Sequence, residues 1–286
     1  MITIQEEFEN PMELPVSKHF SRRYIAEDTW VLKGFDWVTY TPHPHVIVGS
    51  RYAMVIDTTN LKLKIREYIE KYITEKPLVV ASTHSHFDHV DNNYQFEDCP
   101  IYMSEQCWKD IQEDRKKDTR RTLGEYTPVI VSDGDVIDLG GHEIECIDFG
   151  GCHSLSSMSF LDRKTGCLYT GDELEGGQVL LANGFPKNCI ELYRDKLEEL
   201  KKRVEGRITM VCPPHNGTPW RPEIIDFMIE NCERIMDGEK GETDVRSMSA
   251  LPPKGESFWG PEVRRHEWKG TSIIYDMNRI FYRDLK

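Results

Sequence analysis

The run Thr83-His84-Ser85-His86-Phe87-Asp88-His89 constrains this chain more than any other stretch. It sets three imidazoles and a carboxylate within six positions. The preceding Pro77-Leu78-Val79-Val80-Ala81-Ser82 is a short apolar, β-branched run that predicts a buried strand. The cluster therefore stands where a strand ends and a loop begins. On an uninterrupted strand, alternate side chains would all share one face. In a loop, His84 and His86 can turn to one point, and Asp88 and His89 to a second. Imidazole and carboxylate suit zinc, and iron or manganese as well. Four ligand-type residues directly after an apolar strand predict a metal-binding loop rather than a polar turn rich in histidine by chance.

A chain of 286 residues can hold one large domain, or one domain with an extension. The formal net charge of -13 leaves no basic excess to neutralise phosphates, which excludes a nucleic-acid surface. No apolar run reaches membrane-spanning length, and Met1 to Pro11 is too acidic for a signal peptide. Eight scattered cysteines without a CxxC pair fit thiols in a reducing cytosol, so a cytoplasmic location is expected.

Short strands begin at Tyr24, and His45–Gly49 with Tyr52–Thr58 reads as a hairpin around Ser50-Arg51. Asp57 closes that hairpin. It can orient a ligand histidine through its second ring nitrogen, or cap the amphipathic helix expected over 61–74. A strand and helix follow at 101–103 and 105–114, then strands at 129–131, 136–139 and 144–149. Gly150-Gly151-Cys152-His153-Ser154 puts a histidine after two glycines, which let the backbone approach a site closely. A hairpin around Arg163-Lys164-Thr165-Gly166 ends at Thr170-Gly171-Asp172, with Asp172 again at a strand end. After a helix over 193–205 and a strand over 208–212 comes Pro213-Pro214-His215-Asn216-Gly217, and a helix is expected from Pro222 to Met236. Residues 1–240 read as the main domain with an N-terminal arm. Residues 241–286 read as an extension: a Pro/Trp-rich loop, then a hairpin of Ser272–Tyr275 with Arg279–Tyr282, added to a sheet edge or used for self-association into a homo-oligomer.

Collected, the landmarks are His84, His86, Asp88, His89, His153, Asp172 and His215, each just after an apolar strand. In layered α/β architectures such strand ends converge on one cleft. Two metal sites follow from the arithmetic: His84, His86 and His153 for one ion, Asp88, His89 and His215 for the other, with Asp172 between them. Each ion keeps an open position, the mark of a catalytic site.

The order Asp57, THSHFDH, GCHS, YTGD, PPHNG resembles the five motifs of the metallo-β-lactamase superfamily, over roughly residues 24 to 237. That resemblance implies an α/β fold, a four-layer αββα sandwich, with a dinuclear metal centre at one rim. Asp57 falls on the supporting motif, and the other seven residues on ligand positions. A bridging Asp172 is similar to the glyoxalase-like and lactonase-like hydrolases. Cys152 is not at the position of the branch with a cysteine ligand, and reads as structural. The implied chemistry is hydrolysis of an ester, thioester, lactone or related bond in a small molecule. Two divalent ions, zinc first and iron or manganese as alternatives, would make water nucleophilic, with Asp88 and Asp172 the catalytic carboxylates.

Glyoxalase-like members end in a helical domain with basic residues, whereas this chain ends in a loop and hairpin. Candidate pocket residues are Trp37, Tyr40, His43, His45, Trp220, Trp259 and His266. The second reading is an iron-dependent oxidoreductase of the same fold, similar to sulfur dioxygenases. Diiron reductases of the superfamily carry glutamate where His86 stands.

Overall fold

The computed structural model describes residues 20–34, 42–60, 64–117, 124–182, 188–242 and 261–285. Its frame is a seven-stranded sheet in simple sequence order. The strands are β1 (Phe20–Ala26), β2 (Thr29–Gly34), β3 (His45–Val48), β4 (Ala53–Ile56), β5 (Leu78–Ala81), β6 (Ile101–Met103) and β7 (Val129–Ile130). β1 to β4 pair antiparallel, and β4 to β7 run parallel. Parallel strands need crossovers, which the helices α1 (Ile65–Tyr72) and α3 (Glu105–Lys117) help supply. A one-turn helix, α2 (Phe87–Val90), lies between β5 and β6.

A second sheet runs in the order β13-β11-β10-β9-β8. It is built from β8 (Val136–Asp138), β9 (Glu143–Asp148), β10 (Met158–Asp162), β11 (Cys167–Tyr169) and β13 (Met210–Val211). α4 (Ile190–Val204) and α5 (Ile224–Met236) cover its outer face through Leu197, Leu200, Met228 and Ile235.

Strand alternation explains the layers. In β4, Ala53 and Val55 face the helices with Ile65, Tyr68 and Ile69, while Met54 and Ile56 face the second sheet with Phe160, Tyr169 and Cys146. Strands buried on both faces read as unbroken apolar runs, as Leu78–Ala81 does. The result is a four-layer αββα sandwich.

The C-terminal hairpin forms in a register different from the expected one. β14 (Val263–Trp268) pairs with β15 (Thr271–Asp276) around Lys269-Gly270, so the partner of Ser272–Tyr275 lies before it in sequence. The Lys269-Gly270 turn has φ of 48° and 85°, the positive-φ pair of a two-residue hairpin loop. Residues 279–282 instead follow the hairpin, where Arg279 and Ile280 carbonyls accept from the first turn of α4. A strand with no clear signature, β12 (Val179–Leu180), joins β15 in parallel and ties the hairpin to the sandwich. Among the described residues, no helix is long and apolar enough to cross a membrane.

Candidate metal centre

The strand ends bring all seven ligand-type residues together. β5 delivers Thr83 and His84, and the backbone then turns into α2, which carries Asp88 and His89. The turn after β9 brings His153, the 3-10 turn after β11 brings Asp172, and the loop after β13 brings His215. Two groups result: His84, His86, His153 and Asp172, and Asp88, His89 and His215, each with ligand atoms within 4.8 Å of one another.

Asp172 faces both groups. Its Oδ2 lies 3.5 Å from His153 Nε2 and 4.0 Å from His84 Nε2, while its Oδ1 lies 3.2 Å from His89 Nε2 and 3.5 Å from His215 Nε2. Asp88 Oδ2 completes the second group, 3.4 Å from His215 Nε2 and 3.7 Å from His89 Nε2.

Hydrogen bonds behind the rings decide which nitrogens face inward. His89 Nδ1 donates to Asp57 Oδ2 at 2.8 Å, and His153 Nδ1 donates to the Leu180 carbonyl at 3.0 Å. His84 Nδ1 meets Thr83 Oγ1 at 3.1 Å, and that hydroxyl donates onward to Asp57 at 2.8 Å. Asp57 also accepts from the Thr83 backbone N–H. It thus supports the ligand loop and is remote from the start of α1, where Lys64 stands at the cap. A ring that donates through Nδ1 presents the Nε2 lone pair to the site.

Burial keeps His84, His86 and His153 below their ordinary basicity, as neutral donors. Burial acts the same way on His89 and His215, but Asp172 and Asp88 outweigh it. His89 is raised well above the usual value, and His215 rises to about 9 with Glu175 adding to the pull. The field that raises those two rings is one that a cation would occupy.

Among the described residues, His84 Nε2 has no hydrogen-bond partner, and His89 Nε2 and Asp172 Oδ1, 3.2 Å apart, make no well-directed one; all three are buried. Orphaned buried polar atoms are costly, and a coordinated ion satisfies all three. The residues therefore fit a divalent metal-binding site.

Residues without a sequence-level assignment complete the surroundings. Glu173 is buried and accepts from the backbone N–H groups of His153 and Ser154, bracing that loop. Glu175 is also buried and accepts from Asn216 Nδ2 at 2.8 Å; burial first, and then Asp172, push its carboxyl up to about 8. Asn216 holds φ of 55°, a left-handed conformation that asparagine tolerates. The signal in the chain was the acidic run Asp172-Glu173-Leu174-Glu175, whose burial no local pattern reveals.

The candidate pocket residues separate. Trp37, Tyr40 and Trp259 lie outside the described residues. His43 lies beside the site: its N–H donates to the Pro214 carbonyl, and burial, then the charge of His215, lower it to about 4. Trp220 packs over Gly176 and reaches Gly270, with its indole N–H on the Gly217 carbonyl. His45 and His266 are each buried in a packing contact. His45 is buried between the sheets, edge-on to Tyr169 and bonded to Thr218, because β3 points it inward. His266 is buried between β14 and α5, 2.6 Å from Asn231 Oδ1. Cys152 is packed in the outer core with Tyr193 and Cys232.

No family model matches the chain. It is 25% identical over 204 residues to the human protein "Acyl-coenzyme A thioesterase MBLAC2", covering 60% of this chain and 72% of that protein. It is 23% identical over 296 residues to "Coenzyme F420H(2) oxidase" of Methanothermobacter marburgensis, covering 87% of this chain and 71% of that one. Among solved structures, "Metallo-beta-lactamase from Pontibacter korlensis" superposes with a TM-score of 0.60 at 16% identity, over 77% of this chain and all of that one. With the αββα layers, the five motifs in order and the His/Asp cluster at the strand ends, these likenesses give the chain the metallo-β-lactamase fold and support its place in that superfamily.

Proposed function

We propose that this chain is a metal-dependent hydrolase that cleaves a thioester joining an acyl group to a phosphate-bearing thiol of the coenzyme A type. The observation that carries the hydrolase reading is the two-sided Asp172, with one oxygen turned to each donor group. The choice of a thioester is supported by the likeness to an acyl-coenzyme A thioesterase.

His84, His86 and His153 would hold one divalent ion, Asp88, His89 and His215 a second, and Asp172 both. Two zinc ions fit the donors best. When bound, they would lower the pKa of water from 15.7 to about 7 and polarise the scissile carbonyl. The chain's own groups do the rest. Asp57 and Thr83 hold His89 and His84 in register, and Glu173 holds the His153 loop. Asp88, half-buried at the mouth, can accept a proton from the attacking water. Phe87, which follows His86 in the chain, and Leu155, two residues after His153, are 52% and 50% exposed. Exposed apolar side chains on two ligand loops suit an acyl chain.

The test is purified protein, assayed for metal content and for thiol release from acyl-coenzyme A substrates, with lactone, phosphodiester and β-lactam substrates alongside. Zinc-dependent thiol release is expected. Turnover confined to another bond class overturns the thioester assignment.

A second reading, an iron-dependent oxidoreductase, has support in the likeness to an F420H2 oxidase across most of the chain. Two bound irons with oxygen consumption and no hydrolysis would favour it.

A further inference from the structure

A cavity of about 400 Å³ opens between the loop after Asp172 and the C-terminal hairpin. Gly177, Arg265, Glu267, Trp268, Lys269 and Ser272 are among its lining residues. It shares a wall with the metal centre. A Cβ on Gly177 would sit 2.3 Å from Cβ of Asn216, the residue after His215, so the loop carrying Asp172 lies directly on the loop carrying His215. Ser272 Oγ donates to the Gly177 carbonyl, and the Trp220 ring fits between Gly176 and Gly270. The hairpin turn is thereby pinned against the site.

Resting on the thioester reading above, we propose that this cavity seats the phosphate-bearing end of the thiol leaving group. Its chemistry is unlike the rest of a chain of net charge -13. Two cations, Arg265 and Lys269, face it, with the Trp268 ring between them in sequence. Arg265 lines the cavity with its guanidinium, whose Nε is enclosed and meets no acceptor among the described residues. Nη2, on the same edge of that guanidinium as Nε, rests on Glu267, and Lys269 Nζ is 2.7 Å from Glu230, so both heads are held in place by carboxylates an anion would have to compete with. A planar guanidinium donates to phosphate in pairs, and an anion seated here would take the place of Glu267 on it.

Size agrees with the assignment. A volume of about 400 Å³ suits phosphates with part of a nucleoside, not an entire acyl thioester. The scissile bond would then lie between the apolar pair Phe87 and Leu155 and the cationic pair Arg265 and Lys269.

The experiment compares the metal-loaded wild type with the double variant Arg265→Gln/Lys269→Gln on two thioesters of the same acyl group. One carries coenzyme A, the other N-acetylcysteamine, which lacks the phosphates. The ratio of kcat/KM for the first over the second is expected to fall about tenfold in the variant, the worth of one charged hydrogen bond. An unchanged ratio overturns the proposal. Adenosine 3′,5′-bisphosphate binding, measured by calorimetry, is the second readout. Binding to the wild type that is lost in the variant supports the cavity even if neither thioester is hydrolysed, an outcome that would sink the thioesterase reading alone. Equal binding to both proteins, or none to the wild type, overturns it.

Discussion

Asp57 accepts a hydrogen bond from Nδ1 of His89 at 2.8 Å, on the side of the ring opposite the one that faces Asp172. A carboxylate behind a ligand imidazole sets its tautomer and strengthens its lone pair. In Asp57→Asn the amide oxygen keeps one acceptor but the charge is gone. Metal affinity at the Asp88/His89/His215 group should weaken by about 10–100-fold, read by competition with a chromogenic chelator. Unaltered affinity would mean that Asp57 serves only the backbone at Thr83.

Asp172 is the sole residue whose oxygens face both donor groups among those described. Asp172→Asn should lower metal content and reduce hydrolysis by about 10²-fold or more. Chelation of the wild type should lower its stability by roughly 3–4 kcal/mol per ion removed from a site that was held at 10²–10³ times its Kd. A thermal melt that is indifferent to both chelator and variant would argue against a shared centre.

Chain-length preference is expected to reside in Phe87 and Leu155. Phe87→Ser/Leu155→Ser should raise KM for a long-chain acyl thioester about tenfold relative to the acetyl ester, since the lost contact is apolar area. A uniform effect on both esters would place the acyl chain elsewhere.

Stability should fall in acid through two groups away from the metal ligands. Burial, and then the charges of His43 and Arg23, lower His45 to about 3. The unfolded chain therefore takes up a proton near pH 6.5 that the native state refuses, and stability declines from there toward pH 3. For Glu145, burial raises the carboxyl, but hydrogen bonds from Arg207, Arg163 and Arg203 outweigh it and hold it at about 2. Its contribution is complete above pH 4.5 and is lost as pH falls toward 2. Urea midpoints measured across pH 7 to 3 should decline, and Glu145→Gln should flatten the segment below 4.5.

Asn231 joins α5 to the hairpin. It bonds His266 Nδ1 at 2.6 Å and Thr271 Oγ1 at 3.0 Å, all within a buried contact. Asn231→Ala should cost about 2–3 kcal/mol by leaving buried partners unsatisfied. Limited proteolysis should then cut near residues 261–285 first. Cleavage unchanged from wild type would show that β12 alone retains the hairpin.

Much of the fold was legible because its cues are local. The apolar runs before His84, Asp172 and His215 mark strands, and ligand-type residues just after them mark a rim. The hairpin differs from the expected one because Ile273-Ile274-Tyr275 has two flanks able to serve as its partner. Lys269-Gly270, a positive-φ turn, selects the earlier one. His45 and His266 illustrate the opposite failure. Both are candidates for a pocket wall in the sequence, and only packing between layers shows them buried.

The sequence by itself determined the donor types, their order and their placement at strand ends, because periodicity and spacing are properties of neighbours along the chain. The tertiary structure alone decided how the two oxygens of Asp172 divide between the donor groups, which carboxylates are buried beside them, and that the hairpin turn closes one flank. Those facts depend on how loops from both sheets meet, through contacts between residues as far apart as Gly177 and Ser272, for which no local pattern carries a signal.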